Sequence, residues 1–262
     1  MNDGALFFAA HPGHELRLFG WLRSARPTVC FLTDGSGSDG TPRLERTDAL
    51  LAGLGAVPGP LYGVASDRVV YAALLGKDIP VFTELARRLG ALLRSGNYSA
   101  IVGDAAEGYN PSHDVARMLV DAAVAIARAG GVHVDNYAFP LVGHPQKPPP
   151  ACAAGPQPIR LDEATLDEKI ETARAYARAA GGVLVSEVDE AIERFGLDAF
   201  RAEQLFVAGS GAQLEAVFDT ERPFYETYGE QQVAAGRYSY VIRWDEHVRP
   251  IATALRELSA SS

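Results

Sequence analysis

The chain has 262 residues, 47% hydrophobic and 22% charged, with 33 acidic against 24 basic side chains and a formal net charge of −9. This composition fits a folded protein with one sizeable core and excludes a chain dominated by disorder. The acidic balance and the lack of any basic run argue against nucleic acid as a partner. Two cysteines, Cys30 and Cys152, are too few for a disulfide framework.

The opening residues 1–4 carry no basic segment, and no stretch approaches the roughly 20 apolar residues of a membrane span. A cytoplasmic protein with no membrane partner is the expectation. Ala5–Ala10 is a continuous apolar run, the mark of a strand buried on both faces. Glu15–Ala25 reads as a helix, Thr28–Thr33 as a second strand and Arg43–Leu54 as a helix closed by Gly55. A third strand is expected near Pro60–Val64, then a helix over Val81–Arg94, a strand over Ala100–Gly103, a helix over Val115–Ala129 and a strand over Val132–Tyr137. Strand and helix alternating at this spacing predict an α/β, Rossmann-like fold: a mostly parallel sheet with helices on both faces.

The proline-rich segment Pro140–Pro158 interrupts that rhythm and reads as a loop. Beyond it the pattern is largely helical, with helices expected over Asp162–Ala180, Val188–Phe195, Asp198–Phe206 and His247–Leu258. Residues 1–145 are expected to form the α/β part. Residues 146–262 are expected to form a helical, aromatic-rich extension packed on it, within one structural domain. The aromatic run Arg222–Tyr228 suits either core packing or a cover over the ligand crevice.

Ligands of open parallel sheets bind beyond the carboxyl ends of the strands. Three polar clusters stand at such ends: Ala10–Glu15, Thr33–Asp39 and Asp104–Asp114. His11 and His14 flank a strand-to-helix turn, and His113 opens a helix from a neighbouring strand end. A helix N-terminus disfavours imidazolium, and neutral imidazole is the metal-binding form. Three imidazoles with one open position make a catalytic metal arrangement, so His11, His14 and His113 are the candidate ligands. No Gly-x-Ser-x-Gly elbow and no phosphate-loop motif is present.

These residues resemble the LmbE-like, or PIG-L-like, metal-dependent de-N-acetylases. The family signature Ala-His-Pro-Asp-Asp-Glu stands here as Ala10-His11-Pro12-Gly13-His14-Glu15. Its Thr-Asp-Gly stands as Thr33-Asp34-Gly35, and its His-Pro-Asp-His as Asn110-Pro111-Ser112-His113. The resemblance covers about residues 5–140. It implies a zinc site, with iron(II) as the alternative metal, held by His11, His14 and His113, with one Asp ligand replaced by His. It also implies a small-molecule substrate, an N-acylated amino sugar or glycosylated compound. The family's general base falls on Gly13, which has no side chain, and its oxyanion-stabilising His falls on Asn110.

A replacement base must be titratable and within reach of the reacting water. Glu107 and Asp104 are the candidates. Tyr109 and Asn110 are expected to contact substrate, with Arg46, beside Arg43, meeting a hydroxyl or an anionic group. The expected activity is zinc-dependent N-deacetylation. The alternatives are a three-histidine metalloenzyme of other chemistry, or a binding protein that kept the fold and lost the reaction. The oligomeric state is left open.

Overall fold

The computed structural model describes residues 4–37, 40–181 and 183–260. In chain order these form β1 (Gly4–Ala9), α1 (Phe19–Ala25), β2 (Thr28–Thr33), α2 (Leu44–Leu54), β3 (Val57–Ala65), α3 (Asp67–Leu75), α4 (Ile79–Ser95), β4 (Tyr98–Asp104), α5 (Pro111–Ala129) and β5 (Asp135–Phe139). The second half adds β6 (Cys152–Ala154), β7 (Ile159–Arg160), α6 (Glu163–Ala179), α7 (Val183–Phe195), β8 (Ala202–Glu203), β9 (Phe206–Ala208), α8 (Gly211–Thr220), α9 (Phe224–Ala234) and α10 (Arg249–Ala260).

One sheet runs in the order β3-β2-β1-β4-β5-β9-β6. β1 to β5 are parallel, while β9 is antiparallel to both β5 and β6. β1 explains why both faces are covered. Its Leu6 and Phe8 pack under α4 and α5, and its Phe7 and Ala9 under α1 and α2, all within 2% of complete burial. Alternation with period two therefore produces an all-apolar strand when both faces are core. Pro58 and Pro60 sit in β3 because it is an edge strand, where a missing N–H costs no ladder bond. The fold is thus α/β and Rossmann-like, with a largely helical C-terminal half.

Three expectations need correction. The helix expected from Glu15 begins as a 3-10 turn over His14–Leu18 and becomes α-helical only at Phe19. The helix expected over Asp198–Phe206 is a 3-10 turn, Leu197–Phe200, followed by β8 and β9. There Glu203 pairs with Ile159, and Phe206 with Ala138 and Ala154, so distant partners decide a short apolar run that periodicity leaves ambiguous. The proline-rich segment contributes β6, which carries the sheet past residue 145. α3, α8 and α9 are helices in addition to those expected. Among the described residues no helix is long and apolar enough to cross a membrane.

Candidate metal and catalytic site

The strand order reverses between β1 and β4, and the crevice outside this switch point is where α/β sheets bind ligands. His11 follows β1, Thr33 ends β2, Asp67 follows β3 and Asp104 ends β4. His113 lies in the first turn of α5, where Asn110 is the N-cap and Pro111 the first helical residue. The three histidine rings expected from sequence do come together. Their centroids lie 5.2 Å (His11–His14), 5.1 Å (His11–His113) and 4.5 Å (His14–His113) apart, all edge to face.

Carboxylates stand behind two of these rings. Asp67 Oδ1 lies 2.9 Å from His11 Nδ1, and Thr33 Oγ1 is 2.7 Å from the same nitrogen. His14 Nδ1 is 2.9 Å from Asp104 Oδ2, which also accepts a 2.7 Å bond from the Ala10 N–H. An ionised carboxylate only accepts, so Nδ1–H is the tautomer that fits both rings, leaving each Nε2 as a lone pair. Burial pushes the Asp67 carboxyl up, but the His11 ring, the Gly37 N–H and Thr33 outweigh it and hold Asp67 below the ordinary carboxylate range. Burial pushes Asp104 up to about 6. Burial, with the positive charges of neighbouring groups, drives the proton affinity of His14 and His113 well below the usual imidazole range, so both rings are neutral.

His11 Nε2 is 2.9 Å from Ser112 Oγ. Ser112–His11–Asp67 therefore has the connectivity of a nucleophilic triad. Ser112 is completely buried, however, and its one hydroxyl proton can go to either His11 Nε2 or Asn110 Oδ1, the latter 2.8 Å away, so it has no access to a substrate.

The donor set suits a divalent cation. Three neutral imidazoles bound through nitrogens about 2.1 Å from one ion would place their ring centroids about 5 Å apart. Carboxylates on the far nitrogens are the supports such ligands take. Among the described residues, no group of three His, Cys, Asp or Glu side chains is arranged, as it stands, to hold a metal ion. The fit therefore rests on the three nitrogen donors, the neutrality of His14 and His113, and the carboxylates behind His11 and His14. The Ser112 hydroxyl already has Asn110 as a second acceptor, so it can release His11 Nε2.

The remaining candidates separate clearly. Glu107 turns away from the histidines: its carboxylate accepts from the Leu141, Val142 and Gly143 N–H groups at 2.7, 3.0 and 2.7 Å. With both oxygens committed to a loop, it is poorly placed as a proton acceptor. Asp104 touches His14, and its Oδ1 is buried without a hydrogen bond. Asn110 Oδ1 takes three donors, Ser112 N–H, Ser112 Oγ–H and Tyr71 O–H, at 2.8–2.9 Å. Tyr109 is 39% exposed and stacked on Phe224. Arg46 makes no hydrogen bond or ion pair among the described residues, whereas Arg43, anchored by a 2.6 Å bond from Nε to the Gly35 carbonyl, lies at the signature turn. Ser38 and Asp39 of the second polar cluster lie outside the described residues.

Gly13 explains the missing base. Its φ of +110° belongs to the region only glycine enters freely, and a Cβ there would meet the Tyr176 ring at 3.1 Å, with the Arg43 guanidinium 3.8 Å away. The Gly13 N–H instead donates at 2.7 Å to Glu15, whose carboxyl is buried and pushed up to about 7 by that burial. Asp67 is the site residue that sequence reasoning missed. Its signal was Ser66-Asp67 directly after a strand, a helix-capping pair at a third strand end.

No family model matches the sequence, and no curated protein matches it. Solved structures similar in overall course include a triple mutant of the deacetylase Orf2*T involved in the teicoplanin biosynthetic pathway, at 15% identity and a TM-score of 0.47, covering 78% of this chain and 96% of that one. The conserved protein TT1542 from Thermus thermophilus is similar at 21% identity and a TM-score of 0.46, over 79% and 94% of the two chains. The zinc-inhibited form of teicoplanin deacetylase Orf2 is similar at 13% identity and a TM-score of 0.44, over 77% and 97%.

Proposed function

We propose that this protein is a metal-dependent amidohydrolase that removes an N-acyl group from an amino sugar or a glycosylated small molecule. Residues 1–145 carry the site, and residues 146–262 pack on them within one structural domain. The observation that carries this reading is the convergence of three imidazoles at the β1/β4 switch point, His11 buried and His14 and His113 partly buried, two of them backed by carboxylates.

His11, His14 and His113 would hold a divalent ion, zinc or iron(II). When bound, it would supply Lewis-acid polarisation of the acyl carbonyl and acidify water. Asp67 and Asp104 fix the proton on Nδ1 of His11 and His14, so that both rings present Nε2 to the crevice. Asp104, the base candidate read from the sequence, stands behind the His14 ring and is a positioning residue that orients this ligand. Glu107 holds the 141–143 loop that walls the crevice. Tyr109 and the Asn110 cap line the mouth, and Arg43 with Arg46 faces the polar end of the substrate.

The direct test is acetate release from N-acetylglucosamine and its glycosides by the metal-loaded protein. Turnover that falls at least a hundredfold in Asp104→Asn supports the reading. The geometry of Gly13 favours one competing reading: a three-histidine metalloprotein without hydrolytic activity, because the turn leaves no room for the family's base. Stoichiometric metal with no turnover on any N-acyl substrate would select that alternative.

A further inference from the structure

We infer that Tyr71 is a positioning residue for His11: it takes up the Asn110 side-chain oxygen, turns the Ser112 hydroxyl onto His11 Nε2, and so latches that nitrogen in the metal-free chain. This inference rests on the metal reading of the three histidines. Ser112 stands between two acceptors, His11 Nε2 at 2.9 Å and Asn110 Oδ1 at 2.8 Å, and has one proton to give. Counting lone pairs decides between them.

The Asn110 amide oxygen has two lone pairs. The Ser112 N–H, fixed in the first turn of α5, claims one at 2.9 Å. The Tyr71 O–H, carried by α3, claims the other at 2.9 Å. A third donor would have to share an occupied lone pair. His11 Nε2 is meanwhile a free acceptor, because Asp67 and Thr33 stand at Nδ1 and keep the ring proton there. Ser112 also lies within reach of the Tyr71 oxygen, but a phenol oxygen accepts far more weakly than an imidazole nitrogen. The hydroxyl proton of Ser112 therefore goes to His11.

The helix behind the ring makes this a device rather than a chance contact. Asp67 and Tyr71 are four residues apart on α3 and so share one face. Asp67 meets His11 Nδ1 directly, and Tyr71 acts on Nε2 through Asn110 and Ser112. One helix thus holds both nitrogens of the ring. Among the described residues, His14 Nε2 and the two His113 nitrogens carry no such hydrogen bond. His11 is therefore the ligand that must give up a bond to join the set, and it does so only when the Ser112 hydroxyl turns away. Asn110 and Ser112 stand where the de-N-acetylase signature has His and Asp, so the latch belongs to this chain and not to the motif it resembles.

Zinc affinity, read by competition with a chromophoric chelator, tests this. Ser112→Ala should bind zinc about three- to tenfold more tightly than the wild type, since no hydrogen bond is then lost on binding. Tyr71→Phe keeps the ring and frees an Asn110 lone pair for Ser112, so it should gain affinity too. Introduced into Ser112→Ala, the same change should add nothing. Unchanged or weaker zinc binding in either single variant would overturn the inference, as would a Tyr71→Phe gain that persists without the serine hydroxyl. A second readout needs no metal. In metal-free protein with isotope-labelled histidines, the His11 Nε2 resonance, assigned by its loss in His11→Ala, should move downfield in Tyr71→Phe, as a nitrogen does on losing a hydrogen bond. An unmoved resonance would overturn the latch whatever zinc uptake shows, so the latch and the metal reading fail separately.

Discussion

Glu107 and Asp104 stand three residues apart at the end of β4, and nothing in the local sequence ranks them. Their surroundings do. Glu107 is saturated by three backbone N–H groups, while Asp104 touches His14 and keeps one oxygen without a partner. Glu107→Gln should therefore lower stability by about 1–3 kcal/mol, through lost charge-assisted bonds, and leave kcat/KM within about tenfold of wild type. Asp104→Asn should lower turnover by about a hundredfold, through the lost support behind His14. Denaturant titration beside steady-state kinetics separates the two, and a kinetic collapse in Glu107→Gln at unchanged stability would reverse the assignment. Asp67 makes a different prediction. As the support behind His11, Asp67→Asn should weaken metal binding by about 10–100-fold, read by competition with a chromophoric chelator. Unchanged affinity would reduce Asp67 to a helix-start residue. The histidines were legible because three of them stand at strand ends. Asp67 was not, because its partner lies 56 positions earlier in the chain and only the register of β3 beside β2 brings them together.

At the scale of elements, the buried strands and the long helices could be read from apolar runs and three-to-four-residue spacing. The second half resisted that reading. β8 and β9 exist because Ile159, Ala138 and Ala154 supply their pairing partners. β8 in turn places Glu203, which accepts from the Gly20 and Trp21 N–H groups at the start of α1 and from Lys169 Nζ at 2.7 Å. Three elements, β8, α1 and α6, thus meet on one buried carboxylate, and α1 is the element that follows the signature turn. Glu203→Ala should cost about 3–5 kcal/mol, since it strands a buried lysine and leaves two helix-terminal donors bare. A loss below about 1 kcal/mol in urea unfolding would show that the junction contributes little. The aromatic segment near residue 224 reads in the sequence as core packing first and as a crevice cover second. The structure divides it, with Tyr225 inside and Phe224 and Tyr228 outside.

For the whole molecule, buried titratable groups tie stability to pH in two opposing directions. The Glu15 carboxyl, raised from 4.5 to about 7 in the folded chain, holds a proton there that the unfolded chain releases. Its contribution therefore declines as pH rises from about 4.5 to 7, by at most about 1.4 kcal/mol per unit. His14 and His113 act the other way. Their lowered affinity means the unfolded chain binds more protons below pH 6.5, so their contribution declines as pH falls. Glu15→Gln removes only the first effect. Between pH 5 and 7 its urea midpoint should rise with pH more steeply than that of the wild type, and parallel profiles would refute the buried-proton account of Glu15.

The central claim is that the switch-point crevice binds one metal ion through three imidazoles. Inductively coupled plasma mass spectrometry on untagged protein, beside His11→Ala/His113→Ala, tests it most directly. The account predicts close to one equivalent of zinc or iron in the wild type and none in the double variant. A wild-type protein that stays metal-free after reconstitution, or a double variant that keeps its metal, would contradict it.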